Sequence, residues 1–169
     1  TVTTTPLSRK RAAQPAPMTP PPSRPTFERP GIGLIGSAVL HELELVALCE
    51  DLPSLLDAVD QHKPDVVLTD IRMPPTGTDE GIRAAAELRE RHPDVGVVVL
   101  SQYVEPGYAL ALLDEGSDRR AYLLKERLAD ADQLTRAILE VAGGGSVIDS
   151  KVVESLEGVL GLFEHQAGV

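Results

Sequence analysis

Three runs of consecutive apolar residues each close on a reactive polar side chain: Val66-Val67-Leu68-Thr69-Asp70, Val97-Val98-Val99-Leu100-Ser101 and Ala121-Tyr122-Leu123-Leu124-Lys125. Short continuous runs of this kind predict strands buried on both faces. A fourth run, Glu42 to Cys49, begins alternating and ends continuous, as a strand entering a sheet does. Helical patterns lie between the runs. Asp51 offers an N-cap with Pro53 behind it, and Leu55, Leu56, Ala58 and Val59 put an apolar face on a helix ending near Gln61. Thr78 is placed as the cap of a second helix, with Asp79 and Glu80 in its first turn, running to about Arg91. A third helix is predicted from about Pro106 to Glu115, and a fourth from about Asp130 to Ala142, ended by Gly143-Gly144-Gly145. Val152, Val153, Leu156, Val159, Leu160 and Phe163 then recur at helical spacing from Ser150 to Phe163.

Strands alternating with helices over short connections mean βαβ units, and so an α/β fold: a doubly wound parallel sheet with helices on both faces. In such sheets ligands bind beyond the carboxyl ends of the strands, so Asp70, Ser101 and Lys125 are expected to share one crevice. Taken singly, an Asp, Ser or Lys after a strand is usually a turn residue, a local hydrogen-bonder or a solvated charge. At three successive strand ends they outline a phosphoryl-accepting site. The carboxylate is the nucleophile, the ammonium offsets charge on the phosphoryl oxygens and the hydroxyl donates a hydrogen bond.

Composition divides the chain. Residues 1–30 hold eight of the fourteen prolines and carry a formal +4, against −10 for the whole chain, which leaves −14 for residues 31–169. A Pro-rich stretch without aliphatic periodicity cannot bury enough surface to order itself, so 1–30 is read as a disordered arm. Its Ser8-Arg9-Lys10-Arg11 cluster is read as a solvated tail. The acidic remainder repels polyphosphate backbones, which argues against nucleic-acid binding by the folded part. The single Cys49 excludes an internal disulfide and sits in an apolar run as a packed thiol. No run reaches the ~18 apolar residues of a membrane span, and with no apolar signal segment at the start the expected location is the cytoplasm.

These residues resemble the receiver domains of two-component response regulators, of the NarL/LuxR type. The resemblance rests on Pro64-Asp65-Val66-Val67-Leu68-Thr69-Asp70-Ile71-Arg72-Met73-Pro74, on Ser101 at the next strand end, on Tyr122-Leu123-Leu124-Lys125, and on Ala137 through Asp149, and it covers roughly residues 42–156. It implies a flavodoxin-like (CheY-like) receiver fold. It also implies that Asp70 is the phosphoacceptor, Ser101 the switch hydroxyl, Tyr122 the switch aromatic and Lys125 the phosphate-contacting lysine, with Met73 and Pro74 in the loop after the phosphoacceptor. Mg²⁺ would be the cofactor, Asp70 one of its ligands, and a sensor histidine kinase the partner.

Two departures qualify that expectation. Counting back from Asp70 to the family's first strand lands near Pro25 and Thr26, where no acidic pair exists, and the place of the first helix holds Pro30, Gly31, Gly33 and Gly36. The first strand is therefore expected to be missing or replaced, and with it the metal-binding acids. At the other end thirteen residues follow Leu156, too few for a helix-turn-helix domain, so no DNA-binding domain is expected in this chain. The organisation reads as an arm (1–30), a receiver-like domain (31–149) and a C-terminal helix or truncated linker (150–169). In class it is a regulated interaction module in phosphorelay signalling, not an enzyme. One alternative is a pseudo-receiver, working by protein contact or homodimerisation without phosphorylation, motivated by the missing pair and an exposed apolar stripe on the last helix. The other is a dinucleotide enzyme, from Gly31-Ile32-Gly33-Leu34-Ile35-Gly36 with Glu50 or Asp51 as the ribose-binding acid. That motif follows Ser23–Pro30, which is no strand, so its context fails. His62 and His92 are read as helix-end residues favoured by the dipole.

Overall fold

The structure is a computed structural model and describes the backbone of residues 2–6 and 43–166, with side-chain surroundings from 43 to 158. The elements are β1 (Val2–Pro6), β2 (Leu43–Leu48), α1 (Leu52–His62), β3 (Val66–Asp70), α2 (Glu80–Arg91), β4 (Gly96–Ser101), α3 (Pro106–Leu113), β5 (Arg120–Leu124), α4 (Ala131–Ala142), β6 (Ser146–Ile148) and α5 (Ser150–Gln166). Lys125–Ala129 form a 3-10 turn between β5 and α4. The strands make one six-stranded sheet in the order β2-β1-β3-β4-β5-β6.

From β3 to β6 the sheet is parallel, as the buried runs predict. Each central strand divides its side chains between two cores. Val67, Val97, Val99, Tyr122 and Leu124 pack under α1, α2, α3 and Val152 of α5. Val66, Leu68, Val98, Leu100, Ala121 and Leu123 pack under Ala137, Ile138 and Val141 of α4. That period-2 division is what makes a run of uniformly apolar residues fit a strand covered on both sides.

The slot of the first strand is filled by replacement. Val2–Pro6 lies between β2 and β3 and is antiparallel to both, with Val2 opposite Leu48 and Leu68 and Thr4 opposite Val66. The arm reading of 1–30 therefore does not hold for residues 2–6. The β-branched run Val-Thr-Thr-Thr suits a pleated strand, and an empty central slot would leave two ladders of backbone groups unpaired. Residues 7–30, and the Gly31–Gly36 motif, lie outside the described residues.

Several helix ends differ in detail from the pattern. Asp51 caps α1 as expected, in a reciprocal capping box with Ser54. Thr78 does not cap α2: the N-cap residue is Asp79, and Glu80 instead folds its carboxylate back onto the preceding loop. Asp130 caps α4 through the Asp132 and Gln133 amides. The left-handed glycine after α4 is Gly144 (φ 102), one place beyond the C-cap Gly143. The stripe on α5 is not wholly exposed, since Val152 is buried and Leu156 packs against the first core, leaving Val153 outward. The three-residue β6 has too little pattern to be predicted. His92 does more than sit at a helix end: its ring nitrogen is 2.6 Å from Asp60, which Arg91 also holds at 2.6 Å, tying the ends of α1 and α2 together. The Asp60 carboxyl is held below its usual range, first by the His92 hydrogen bond.

Candidate functional site at the carboxyl edge of the sheet

Strand register brings the three expected residues to one edge. Asp70 is paired across the ladder with Leu100, and Ser101 with Leu124, so each functional residue stands at, or one step beyond, the last rung. Lys125 lies just past β5 as the first residue of the 3-10 turn. Its Nζ donates to Asp70 Oδ2 at 2.8 Å, and both side chains are about two-fifths exposed, 41% each. Asp70, Arg72, Ser101, Gln102, Tyr103, Glu105 and Lys125 line a cleft of about 60 Å³. Wider hollows, of about 490 Å³ against α4 and about 540 Å³ at the opposite sheet edge, have no such convergence on a strand-end carboxylate. The small cleft is the one that matches the chemistry.

The loop after Asp70 is tightly specified. Met73 is buried, and Ile71 continues the ladder by donating its amide to Leu100. Gly81, in the first turn of α2, donates to the Ile71 carbonyl at 2.8 Å. A Cβ there would overlap the Asp70 carbonyl oxygen and sit 2.9 Å from its carbonyl carbon, so only glycine lets α2 approach. Glu80 is fully buried, and its carboxylate accepts from the Thr76 hydroxyl, the Thr76 amide at 2.8 Å and the Thr78 amide at 3.0 Å. With the Thr76 hydroxyl as the first cause, its pKa falls to about 2. Glu80 was expected only as an acid favouring a helix dipole; its role as the clamp of the Thr76–Thr78 turn depends on tertiary placement. The only signal for it was its position one turn after Pro74-Pro75.

Ser101 is buried at the site, but its hydroxyl faces its own turn. It donates to the Tyr103 carbonyl at 2.7 Å and accepts the Tyr103 amide at 3.3 Å. Tyr122 lies on β5 under the first core with no exposed surface, and its hydroxyl, close to the Ser101 hydroxyl and the Glu105 backbone, makes no hydrogen bond of good geometry. Burial pushes the phenol up, partly countered by Ser101 and the Glu105 backbone. Arg72, missed by the sequence reading as a functional candidate, spans the cleft: its Nη2 donates to both carboxylate oxygens of Glu105 at 3.1 Å.

A divalent cation needs several oxygen ligands at one point. Among the described residues no group of three His, Cys, Asp or Glu side chains could hold one. The other acid lining the cleft, Glu105, is paired with Arg72. The described residues gather no such group at Asp70.

A family model for the response regulator receiver domain matches residues 37–139, more than half of the chain. The chain belongs to that family. Its similarity to curated relatives is of the NarL/LuxR type. It is 41% identical over 119 residues to the transcriptional regulatory protein DegU of Brevibacillus brevis, a match covering 70% of this chain and 48% of that one. It is 31% identical over 116 residues to the oxygen regulatory protein NreC of Staphylococcus haemolyticus, covering 69% and 51%. The chain thus spans about half the length of the curated relatives it matches. Among solved structures it resembles the isolated receiver domain of RcsB from Salmonella enterica serovar Typhimurium, solved in the presence of the phosphomimetic BeF3−. The TM-score is 0.54 at 21% identity, over 66% of this chain and 78% of that one, a likeness of fold. The receiver fold and a place in two-component signalling follow. Of the two acids the dinucleotide-enzyme reading offered, Asp51 is engaged as the cap of α1, and its Gly31–Gly36 motif lies outside the described residues. No helix among the described residues is long and apolar enough to cross a membrane.

Proposed function

We propose that this receiver domain accepts a phosphoryl group on Asp70 and changes an interaction surface in response. The observation that carries the reading is the Lys125 ammonium 2.8 Å from the Asp70 carboxylate, at a strand-end cleft that also holds Ser101. In the transfer, an Asp70 oxygen attacks phosphorus of a phosphohistidine on a sensor kinase. The P–N bond breaks with its electron pair going to the imidazole, which leaves neutral because its other ring nitrogen carries a proton, and an acyl phosphate remains on Asp70. Lys125 is the phosphate-contacting lysine and offsets charge on the phosphoryl oxygens. Ser101 is the switch hydroxyl: it must leave the Tyr103 carbonyl to donate to the phosphoryl group. Tyr122 is the switch aromatic on the neighbouring strand, and Met73 and Pro74 shape the loop beside the acceptor. The domain is a signalling module of the cytoplasm rather than an enzyme, with a histidine kinase as its partner. In a longer protein its output would be transcriptional, as the name of the DegU relative states for that protein.

A second reading is a receiver that works by protein contact or homodimerisation without phosphorylation. It is favoured by the absence of a cation site among the described residues and by a Tyr122 ring already buried. Intact mass after incubation with Mg²⁺ and a small phosphodonor separates the two. The first predicts the gain of one phosphoryl group, lost in Asp70→Asn. No gain at saturating donor rejects it in favour of the second.

A further inference from the structure

Arg72 and Glu105 form an ion pair across the mouth of the cleft that holds Asp70, Ser101 and Lys125. Arg72 belongs to the turn that follows Asp70, and Glu105 stands at the N-cap of α3, with Pro106 as the first helical residue. The pair therefore ties the acceptor loop to the start of a helix. It is loosely held, with side chains 53% and 27% exposed, and half-solvated pairs exchange partners easily. Glu105 also carries the first turn of α3 on its backbone, its carbonyl accepting from Tyr108 at 3.1 Å and Ala109 at 3.3 Å. Moving Glu105 moves that turn.

We infer that Arg72 becomes a ligand of the phosphoryl group once it is on Asp70, and that its transfer from Glu105 to that group releases the first turn of α3. This rests on the reading of Asp70 as the acceptor. A phosphoryl group brings about −1.5 to −2 of charge and three acceptor oxygens where one carboxylate charge stood. Lys125 offers a point charge already turned to one Asp70 oxygen, whereas a guanidinium presents a planar fork matched to two phosphate oxygens. Among the cations lining the cleft, Arg72 is the one with that fork. Glu105 bears the same sign as the incoming group, so one event attracts Arg72 and repels its partner. Near this turn Tyr103 is 58% exposed and Leu110 50% exposed, so its release alters an apolar part of the surface.

The test uses the Asp70→Cys variant alkylated to a phosphonomethyl thioether, a non-hydrolysable phosphonate with as many bonds from Cβ to phosphorus as an acyl phosphate, compared at mildly alkaline pH where it is a dianion. The native Cys49 is buried and its thiol pushed up by burial, so one thiol is available, which intact mass verifies. Amide ¹H–¹⁵N shifts of Tyr103 to Ala109 are compared before and after alkylation. Displacement is expected at Glu105, Tyr108 and Ala109. It should fall several-fold in the added Arg72→Ala background, return in part with Arg72→Lys, and be imitated without alkylation by Glu105→Gln. Equal displacement with and without Arg72, or none at Glu105, overturns the inference. Because the phosphonate is installed chemically, that failure is distinct from a failure of Asp70 to gain mass from a phosphodonor.

Discussion

Tyr122→Phe is expected to stabilise this domain, and the size of the effect reports where the ring rests. The ring has no exposed surface, and its hydroxyl makes no hydrogen bond of good geometry, though Ser101 and the Glu105 backbone lie close to it. A hydroxyl buried without a partner costs about 1–3 kcal/mol relative to water. Phenylalanine keeps the ring and removes that cost. The oxygen-sized gap, roughly 10 Å³ at about 24 cal/mol per Å³, returns only a few tenths. Nearby polar groups of Ser101 and Glu105 soften the burial, which puts the net gain at about 1 kcal/mol or slightly more. Urea unfolding reads it directly: with a slope of about 1.5 kcal/mol/M the midpoint rises by roughly 0.7–1 M. The pH dependence supplies a second check. Burial raises the phenol's pKa, so above the ordinary value of about 10 the unfolded chain ionises while the folded one resists. The stability from Tyr122 is present below that pH and is lost as pH rises; Tyr122→Phe removes that component. An unchanged midpoint would mean a ring in water, and a lowered one a hydroxyl that is bonded. Either result refutes the buried, unpaired resting state.

Three further substitutions probe the support of the site. Gly81→Ala sets a Cβ against the Asp70 carbonyl, backbone on backbone, and is expected to cost about 1–3 kcal/mol in urea unfolding and to shift the Asp70 amide strongly; a neutral effect would contradict the close approach. Glu80, with its folded pKa lowered to about 2, lends stability that is complete above about 4.5 and lost as pH falls toward 2. Hydrogen exchange at Thr76 and Thr78 should therefore accelerate across that window, and should already be fast at neutral pH in Glu80→Gln. Arg120 is buried with its Nε unpaired, and desolvation, with Arg89 nearby, lowers its pKa to about 10, equivalent to roughly 3 kcal/mol of unfavourable burial. Arg120→Met gives up hydrogen bonds to the Ala85, Val95 and Arg119 carbonyls, the last of which the Val97 amide already satisfies. A net gain of about 1–2 kcal/mol is expected, and a loss of that size would show the guanidinium to be structural.

What could be read from the sequence was what depends on local pattern. The buried runs around Val67, Val98 and Leu123 announce strands covered on both faces, and parallel register then forces Asp70, Ser101 and Lys125 onto one edge. Asp51 and Asp130 act as caps because capping involves only three or four consecutive residues. What escaped depends on partners distant in sequence. Nothing near Arg72 names Glu105, 33 residues away, and nothing near Asp60 names His92, 32 away. Thr78 reads as a cap because its side chain can serve as one, yet its hydroxyl is engaged with the Thr76 hydroxyl and the Asp79 carboxylate, while Glu80 accepts the Thr76 and Thr78 amides. Val2–Pro6 was hidden by the prolines around it, and only the slot between β2 and β3 reveals its place.

The direction of β1 bears on the chemistry of the cleft. In a parallel strand the residues past the carboxyl end stand beside Asp70, where they can complete a cation site. Here the end of β1 nearer Asp70 is Val2, opposite Leu68, while Pro6 lies opposite Leu43 at the far edge of the sheet. The strand Val-Thr-Thr-Thr-Pro contains no carboxylate of its own. Among the described residues, backbone pairing therefore rebuilds the sheet without β1 supplying a carboxylate beside Asp70. Among the same residues, Lys125 pairs with the carboxylate and Arg72, paired with Glu105, lines the same cleft. If Asp70 is phosphorylated, the cleft these two side chains line holds a larger negative charge than the carboxylate that Lys125 now attends. The fate of the Arg72–Glu105 pair is then the step that connects the acceptor to the surface.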